Sequence, residues 1–352
     1  MNTTHVKALV TGANGYLAGW IIKSLISRGI HVHTTVRQLD DQKKYHHLLS
    51  LKNSNQIKFF EANLLDRNSF KDAIQGCSIV FHTASPVALN AKNPMKDLLE
   101  PAKIGTANIL HQVNQTTSVK KVILTSSTAA MCGDNKDITS RLDNIITEQS
   151  WNHSATIHHN PYAFAKTEAE KHAWEIAAQQ TQWKLISINP SVIMGPSLSN
   201  QKIPSGLTLL QNLGNGKFSK GCPSLGMGIV DVRDCAEAHI QAALSNTAHG
   251  RYIVSGHNTN LEEIIRLLWP SFGNQYPLPK KTLPKTLIWL IGPWLVQGLT
   301  RKYISKNMNY NWYADNQKGI KDLNIAYRGL STTLRDSFQS CVDNNWISYP
   351  LG

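Results

Sequence analysis

The sequence predicts an α/β fold, a doubly wound parallel sheet flanked by helices, with a smaller and less regular C-terminal part. Three observations carry this reading. Short β-branched runs alternate with amphipathic helical patterns through the first half of the chain. A glycine-containing turn, "VTGANGYLAG", joins the first run to the first helical pattern. After Pro190 the rhythm breaks into a Gly-, Pro- and Ser-rich stretch, 195–228, followed by shorter elements with several prolines.

The first strand is "VKALVT" (6–11), and "LAGWIIKSLISRG" (17–29) follows as a helix whose Ile21, Ile22, Leu25 and Ile26 share a face and whose end is Gly29. "HVHTTV" (31–36) and "IKFFEA" (57–62) are the second and third strands; Asp66 caps a short helix that Gly76 ends. "SIVFHTA" (78–84), "KKVILTSS" (120–127) and "WKLISINP" (183–190) supply three more, with helices around 97–115 and 161–181 between them. "GIVDVRDCAEAHIQAAL" returns to a strand and a helix, for which Asp234 and Glu237 read as a capping box. Residues 1–190 are therefore expected to form the sheet domain, with 229–249 returning to it. Residues 191–228 and 250–352 are expected to form a substrate-binding subdomain.

The 352 residues carry a formal net charge of +13, but the Lys and Arg are spread along the chain without a groove-reading motif, so nucleic acid is not the expected partner. Holding a polyanionic cofactor is a simpler use for that charge. Five scattered cysteines, without a CxxC pair, argue against a disulfide framework and against zinc. "MNTTHVKALVTGANG" contains no apolar stretch of signal length, which, with the cysteines, points to a cytoplasmic setting. One apolar segment, "TLIWLIGPWLVQGL" (286–299), is too short and too broken by Gly292 and Pro293 to span a bilayer, which takes about 20 apolar residues. Burial against the fold or a lid over a pocket is its expected role. The lysines and arginines around it, from 280 to 306, keep peripheral membrane contact open.

In doubly wound sheets ligands sit at the carboxyl ends of the strands. Gly12 and Gly15 lie there, after the first strand and before the first helix, in a GxxGxxA spacing with Ala18 third. They permit a tight turn and a close approach of backbone to a pyrophosphate at a helix N-terminus, so a Rossmann-type dinucleotide site is expected. The second strand ends at Arg37 rather than at a carboxylate, with Lys43 and Lys44 beyond. A guanidinium there can meet a 2′-phosphate, which favours NADP(H) over NAD(H). Ser126 and Ser127 end the fifth strand, and the next helix begins "NPYAFAK", with Tyr162 and Lys166 four apart on one face. A serine, a phenol and an ammonium around one nicotinamide suit carbonyl reduction. Hydride transfer leaves negative charge on the carbonyl oxygen, which needs a donor and then a proton. A free phenol has a pKa of about 10, and Lys166 with an oxidised nicotinamide is expected to lower it by about three units, roughly 4 kcal/mol.

Together "VTGANGYLAG", "TVR", "VFHTASP", "LTSS", "PYAFAK", "INPSVIMGP" and "VDVRDCAEAH", from about residue 5 to 255, resemble the extended short-chain dehydrogenase/reductase superfamily. Within it the chain is similar to the dihydroflavonol-reductase-like branch of aldehyde and ketone reductases. The resemblance implies Ser127, Tyr162 and Lys166 as the catalytic serine, tyrosine and lysine. It implies cofactor contacts at Gly12, Gly15, Tyr16, Leu17, Arg37, Lys44, Asn63, Leu64, Thr83, Ala84, Tyr162, Lys166 and Pro190. Asn63 stands where that family usually has an aspartate for the adenine amine; its carbonyl oxygen can accept the same bond. Cys132 replaces an asparagine of the plant flavonoid reductases, and "HNPYAFAK" differs from the cinnamoyl-CoA reductase signature. The pattern around "SWNHSATIHHNPYAFAK" is nearer to the methylglyoxal and isovaleraldehyde reductases.

Met131, Cys132, Met194 and Met227, beside strand ends or in the irregular stretch, are the residues expected to line a substrate pocket. Segments 86–96, 131–160 and 195–228 are expected to shape it. His82, His158 and His159 are expected to be structural or solvated, and Asp231, Arg233 and Asp234 to join two parts of the fold by ion pairs. The expected protein is a monomeric or weakly dimeric NADPH-dependent reductase of a small carbonyl compound, without a metal. A steroid or sterol hydroxy-dehydrogenase, an NAD-dependent nucleotide-sugar epimerase or dehydratase, and a non-catalytic NADP(H) sensor are the alternatives; Arg37 argues against the second and the retained tyrosine against the third.

Overall fold

A computed structural model describes residues 6–85, 93–140, 143–295 and 299–348. Part of the segment expected to shape the pocket, 86–92, and part of the apolar segment, 296–298, lie outside the described residues. The chain runs β1 (Lys7–Val10), α1 (Tyr16–Ser27), β2 (His31–Val36), α2 (His46–Leu49), β3 (Ile57–Glu61), α3 (Lys71–Ile74), β4 (Ile79–His82) and α4 (Glu100–Asn114). It continues through β5 (Lys121–Thr125), α5 (Pro161–Ala177), β6 (Lys184–Pro190), β7 (Val192–Met194) and α6 (Thr208–Gly214). Then come β8 (Gly226–Asp231), α7 (Val232–Leu244), β9 (Gly250–Val254), β10 (His257–Asn260) and α8 (Leu261–Phe272). Helices α9 (Lys285–Leu295), α10 (Arg301–Asn307), α11 (Gln317–Leu323) and α12 (Leu330–Asp343) complete the order.

Seven parallel strands form one sheet in the order β3-β2-β1-β4-β5-β6-β9. Its central strands β1, β4 and β6 are buried on both faces, which is why they read as continuous apolar runs rather than alternating ones. The order reverses between β1 and β4, so their carboxyl ends open the crevice where such sheets bind ligands. Helix α1 ends as its sequence predicts: Gly29, at φ 75°, follows the last turn, and Gly29 and Ile30 N–H donate to the carbonyls of Ile26 and Leu25.

The domain boundaries need two corrections. Residues 250–254, expected with the substrate-binding subdomain, are β9, the seventh strand of the main sheet, paired in parallel with β6. Strand β8, expected to return to the sheet domain, joins β7 and β10 in a separate three-stranded sheet, while α7 after it packs its Cys235, Ala236, Ala238 and Ile240 into the main core. The capping box is also displaced. Asp231, not Asp234, caps α7, accepting from Arg233 N–H at 2.9 Å. Asp234 lies in the first turn and binds the Arg328 backbone N–H at 2.7 Å and its guanidinium. Arg233 bridges Asp231 and Asp336 of α12, so this acidic and basic cluster ties α7 to the C-terminal helices, as the sequence suggested.

A second core, built on Met194, Leu207, Leu210, Leu213, Leu268 and Phe338, fills the C-terminal part. The five cysteines are free and buried, in keeping with their spacing, and burial pushes the Cys77 and Cys341 thiols up to about 12. Among the described residues no helix is long and apolar enough to cross a membrane.

Candidate active site

The glycine turn is held rigid by backbone bonds. Gly12 N–H donates to Thr35 Oγ1 at 3.1 Å, Ala13 N–H to the Thr35 carbonyl at 2.8 Å, and Gly15 N–H to the Gly12 carbonyl at 2.9 Å. Gly12 sits at φ 75°, and a Cβ there would lie 3.0 Å from Ala84 Cβ, so only glycine allows this approach of β1 to the end of β4. Gly15 starts α1 without a side-chain cap, and the first turn holds no acidic residue. The N–H groups at that end therefore face a cradle suited to a pyrophosphate. The Tyr16 hydroxyl donates to the Gly195 carbonyl at 2.7 Å and Leu17 is buried in the core, which leaves their backbone, not their side chains, to serve a ligand.

Across the crevice the Thr11 hydroxyl accepts the N–H groups of Thr83 at 3.2 Å and Ala84 at 3.0 Å, and shares a hydrogen with His82 Nδ1 at 3.0 Å. Thr83 in turn donates to the Thr11 carbonyl. His82 is buried between Thr11 and Thr106; burial and the nearby Lys166 push it down to about 3, so it is a neutral structural residue.

The other expected cofactor contacts divide. Arg37 is exposed at the end of β2, with neither ion pair nor hydrogen bond among the described residues. Lys44 pairs instead with Asp41 at 2.6 Å, an internal partner that competes with a phosphate. Asn63 is exposed, and its side-chain oxygen already accepts the Leu65 N–H at 3.1 Å, leaving one lone pair for an adenine amine. Leu64 is half-buried against Gly105, and the Pro190 carbonyl accepts the Thr128 hydroxyl at 3.3 Å.

Ser127 follows β5 in extended conformation and caps the short turn Thr128–Ala130, accepting from Ala129 N–H at 3.1 Å. Pro161 opens α5 after Asn160, whose left-handed backbone is fixed by its side chain donating to the Gly133 carbonyl at 2.7 Å. That entry sets the phase of the helix. Tyr162 then lies beside Ser127, whose hydroxyl pulls the phenol's pKa down, and Lys166 Nζ reaches the Thr125 carbonyl at 3.2 Å. The structure thus brings together the three residues expected from sequence. A small cleft lined by Ala84, Ser85, Thr125, Ser126 and Lys166 runs from Lys166 to the end of β4.

Electrostatics departs from expectation in one respect. Burial raises the Tyr162 phenol above its ordinary value and outweighs the opposing pull of Ser127; Lys166 is not among the groups that shift it. Lys166 is itself pushed down to about 8 by burial, against the pull of Glu170.

Glu170 is the residue sequence reasoning missed. It lies one turn beyond Lys166, buried, and accepts from Ser126 Oγ at 2.5 Å, Asn189 Nδ2 at 2.8 Å and Arg251 Nε at 2.7 Å. Ser126 therefore does more than finish its strand. The spacing of Tyr162, Lys166 and Glu170, each four apart, was the available signal.

Most of the residues expected to line the pocket are buried. Met131 and Cys132 are buried in one cluster with Ile138, Ile253 and Trp312, and Met194 in the C-terminal core; only Met227 is partly exposed. His159 is structural, bonded to Asp134 at 2.8 Å, and His158 is exposed.

Comparison with known proteins follows this geometry. A family model described as "NAD dependent epimerase/dehydratase family" matches residues 8–256. Cinnamoyl-CoA reductase CAD2 of Medicago truncatula is 36% identical over 279 residues, 77% of this chain and 82% of the relative. Tetraketide alpha-pyrone reductase 1 of Arabidopsis thaliana is 31% identical over 364 residues, covering 100% of both chains. Among solved structures, yeast methylglyoxal/isovaleraldehyde reductase Gre2 complexed with NADPH superposes with a TM-score of 0.78 at 25% identity, covering 97% of this chain and 100% of that one.

Proposed function

This chain belongs to the NAD dependent epimerase/dehydratase family, the extended short-chain dehydrogenases/reductases, and we propose that it is an NADPH-dependent reductase of an aldehyde or ketone. The observation that carries the reading is the placement of Tyr162 beside Ser127 at the carboxyl end of β5, with Lys166 buried one turn along α5 beside the crevice. Names of the relatives, reductases over most or all of their length, support the reaction class.

The Gly12–Gly15 turn and the start of α1 would hold the pyrophosphate, and unpaired Arg37 the 2′-phosphate. When bound, NADPH supplies the hydride that reduces the carbonyl carbon. Ser127 donates to the carbonyl oxygen and holds it beside the Tyr162 phenol. Because burial keeps the phenol above its ordinary value, Tyr162 carries its proton at neutral pH and is ready to deliver it to that oxygen. Lys166, protonated below about 8, would offer hydrogen-bond donors to the ribose hydroxyls of the cofactor. Positioning Lys166 falls to the Thr125 carbonyl and to buried Glu170.

The test is NADPH oxidation by the purified protein against aliphatic, aromatic and α-dicarbonyl compounds, with NADH in parallel. Turnover that favours NADPH supports the proposal. Binding of NADPH without turnover of any carbonyl would replace it with a non-catalytic role.

A further inference from the structure

Helix α9 carries an apolar face that nothing among the described residues covers. Leu287, Leu290, Ile291 and Trp294 stand at i, i+3, i+4 and i+7, one stripe of a helix, and are 40%, 57%, 45% and 83% exposed. The expectation of burial holds only for the opposite side. There Ile288 packs with Ile304 and Met308, and Gly292 approaches so closely that a Cβ would lie 3.1 Å from Ile288 and 3.2 Å from Leu299. The helix rests on the fold by one edge and holds the other out. Among the described residues nothing ties this stripe to the crevice between β1 and β4.

The charge of the segment that carries it has one sign. No acidic residue occurs between Glu263 and Asp315, whereas Lys280, Lys281, Lys285, Arg301, Lys302 and Lys306 do. Lys285 is engaged by the carbonyls of Ser305 and Met308, and Lys306 by Asp134. Lys281 and Lys302 are exposed and unpaired on either side of the stripe. A second copy of the chain docked face to face would set the exposed Lys281 and Lys302 against their own kind, which disfavours self-association. An anionic lipid surface matches both features, since it takes up aliphatic side chains and tryptophan at headgroup level and attracts lysine at the rim. Eleven helical residues span about 16 Å, roughly half a hydrocarbon core, so the helix lies in the surface and does not cross it.

We infer that α9 is a docking face for an anionic bilayer surface, with Leu290 and Trp294 inserted and Lys281 and Lys302 against the lipid charge. Two lysines near such a surface give about a tenfold or greater preference for it.

The experiment is co-sedimentation of the full-length protein with vesicles of phosphatidylcholine alone or mixed with phosphatidylserine, at low and high salt. Expected is binding to the mixed vesicles that weakens about tenfold or more on phosphatidylcholine alone, at high salt and in Lys281→Gln/Lys302→Gln. Leu290→Glu/Trp294→Glu abolishes it while keeping the circular dichroism and melting temperature of the parent. The tryptophan emission should shift to the blue on vesicle binding, and this shift should shrink in Trp294→Phe. The inference is overturned if the parent binds neither vesicle, or if Leu290→Glu/Trp294→Glu binds as well as the parent. A concentration-dependent dimer of the parent that the same double variant loses, without vesicles, would assign the face to a second copy and overturn it too.

Discussion

Arg251 of β9 donates through Nε to the Glu170 carboxylate of α5 at 2.7 Å, and its guanidinium lies 3.9 Å from the centre of the Trp151 ring. The pair is buried, Glu170 at 1% and Arg251 at 8% exposure, and the arginine also holds the carbonyls of Glu148 at 2.9 Å and Ser150 at 2.6 Å. It thereby joins the last strand of the sheet, the helix that carries Tyr162 and Lys166, and the loop before that helix.

Breaking this pair should cost far more than a surface ion pair. Glu170→Met leaves the guanidinium buried without its carboxylate, and a loss of about 3–5 kcal/mol in urea unfolding is expected. Arg251→Met should cost a similar amount. Glu170→Met/Arg251→Met should lose less than the sum of the two, by more than about 1 kcal/mol, because the second change removes the charge the first one stranded. Additive losses would mean that the two groups act independently.

Lys166 is held charged where charge is unfavourable, and this has a pH signature. Its folded-state pKa, about 8, lies below the ordinary 10.5. Below pH 8 both folded and unfolded chains carry the proton, and the folded state bears the full cost. Between 8 and 10.5 the folded chain releases the proton first and the cost fades; above 10.5 it is gone. Lys166→Met should therefore be at least as stable as the parent at pH 7, with its advantage, up to about 3 kcal/mol before the lost Thr125 bond is counted, shrinking as pH rises from 8 towards 10.5. Its reductase activity should be nearly absent. Urea titrations at pH 7 and pH 9.5 check the trend, and a constant difference would contradict it.

At Gly12 the backbone conformation and the space around it make the same demand. Gly12→Ala adds a strained left-handed residue, costing about 1–2 kcal/mol, and a methyl group 3.0 Å from Ala84 Cβ. The strain should lower the melting temperature, and a shift of the turn away from the cofactor is expected to drop NADPH affinity by at least about tenfold in fluorescence titration. Unchanged affinity would show that the turn does not approach the cofactor.

How far these features were legible in the sequence depended on their range. The glycine turn, the strand-end serine and the Tyr162–Lys166 spacing are local patterns, and local patterns fix which side chains share a turn or a helix face. The central sheet strands were legible because burial on both faces leaves short apolar runs bounded by glycines and polar residues. Glu170 was not, because its partner Arg251 stands 81 residues away and nothing in either neighbourhood announces the other. Strand β9 was misassigned because its pairing with β6 crosses the irregular stretch and the separate three-stranded sheet. Asp231 was passed over as the cap of α7 since Asp234 offers the same chemistry one turn later, and only the extended backbone at Asp231 decides between them.

The central claim is that Tyr162 gives the proton to the carbonyl oxygen, and Tyr162→Phe tests it most directly. This variant keeps the ring in its place and removes only the hydroxyl beside Ser127. With the best carbonyl substrate, kcat should fall by about 10²–10⁴ while NADPH affinity and melting temperature stay close to those of the parent. A kcat within a few-fold of the parent would contradict the account, because it would mean that another group protonates the substrate.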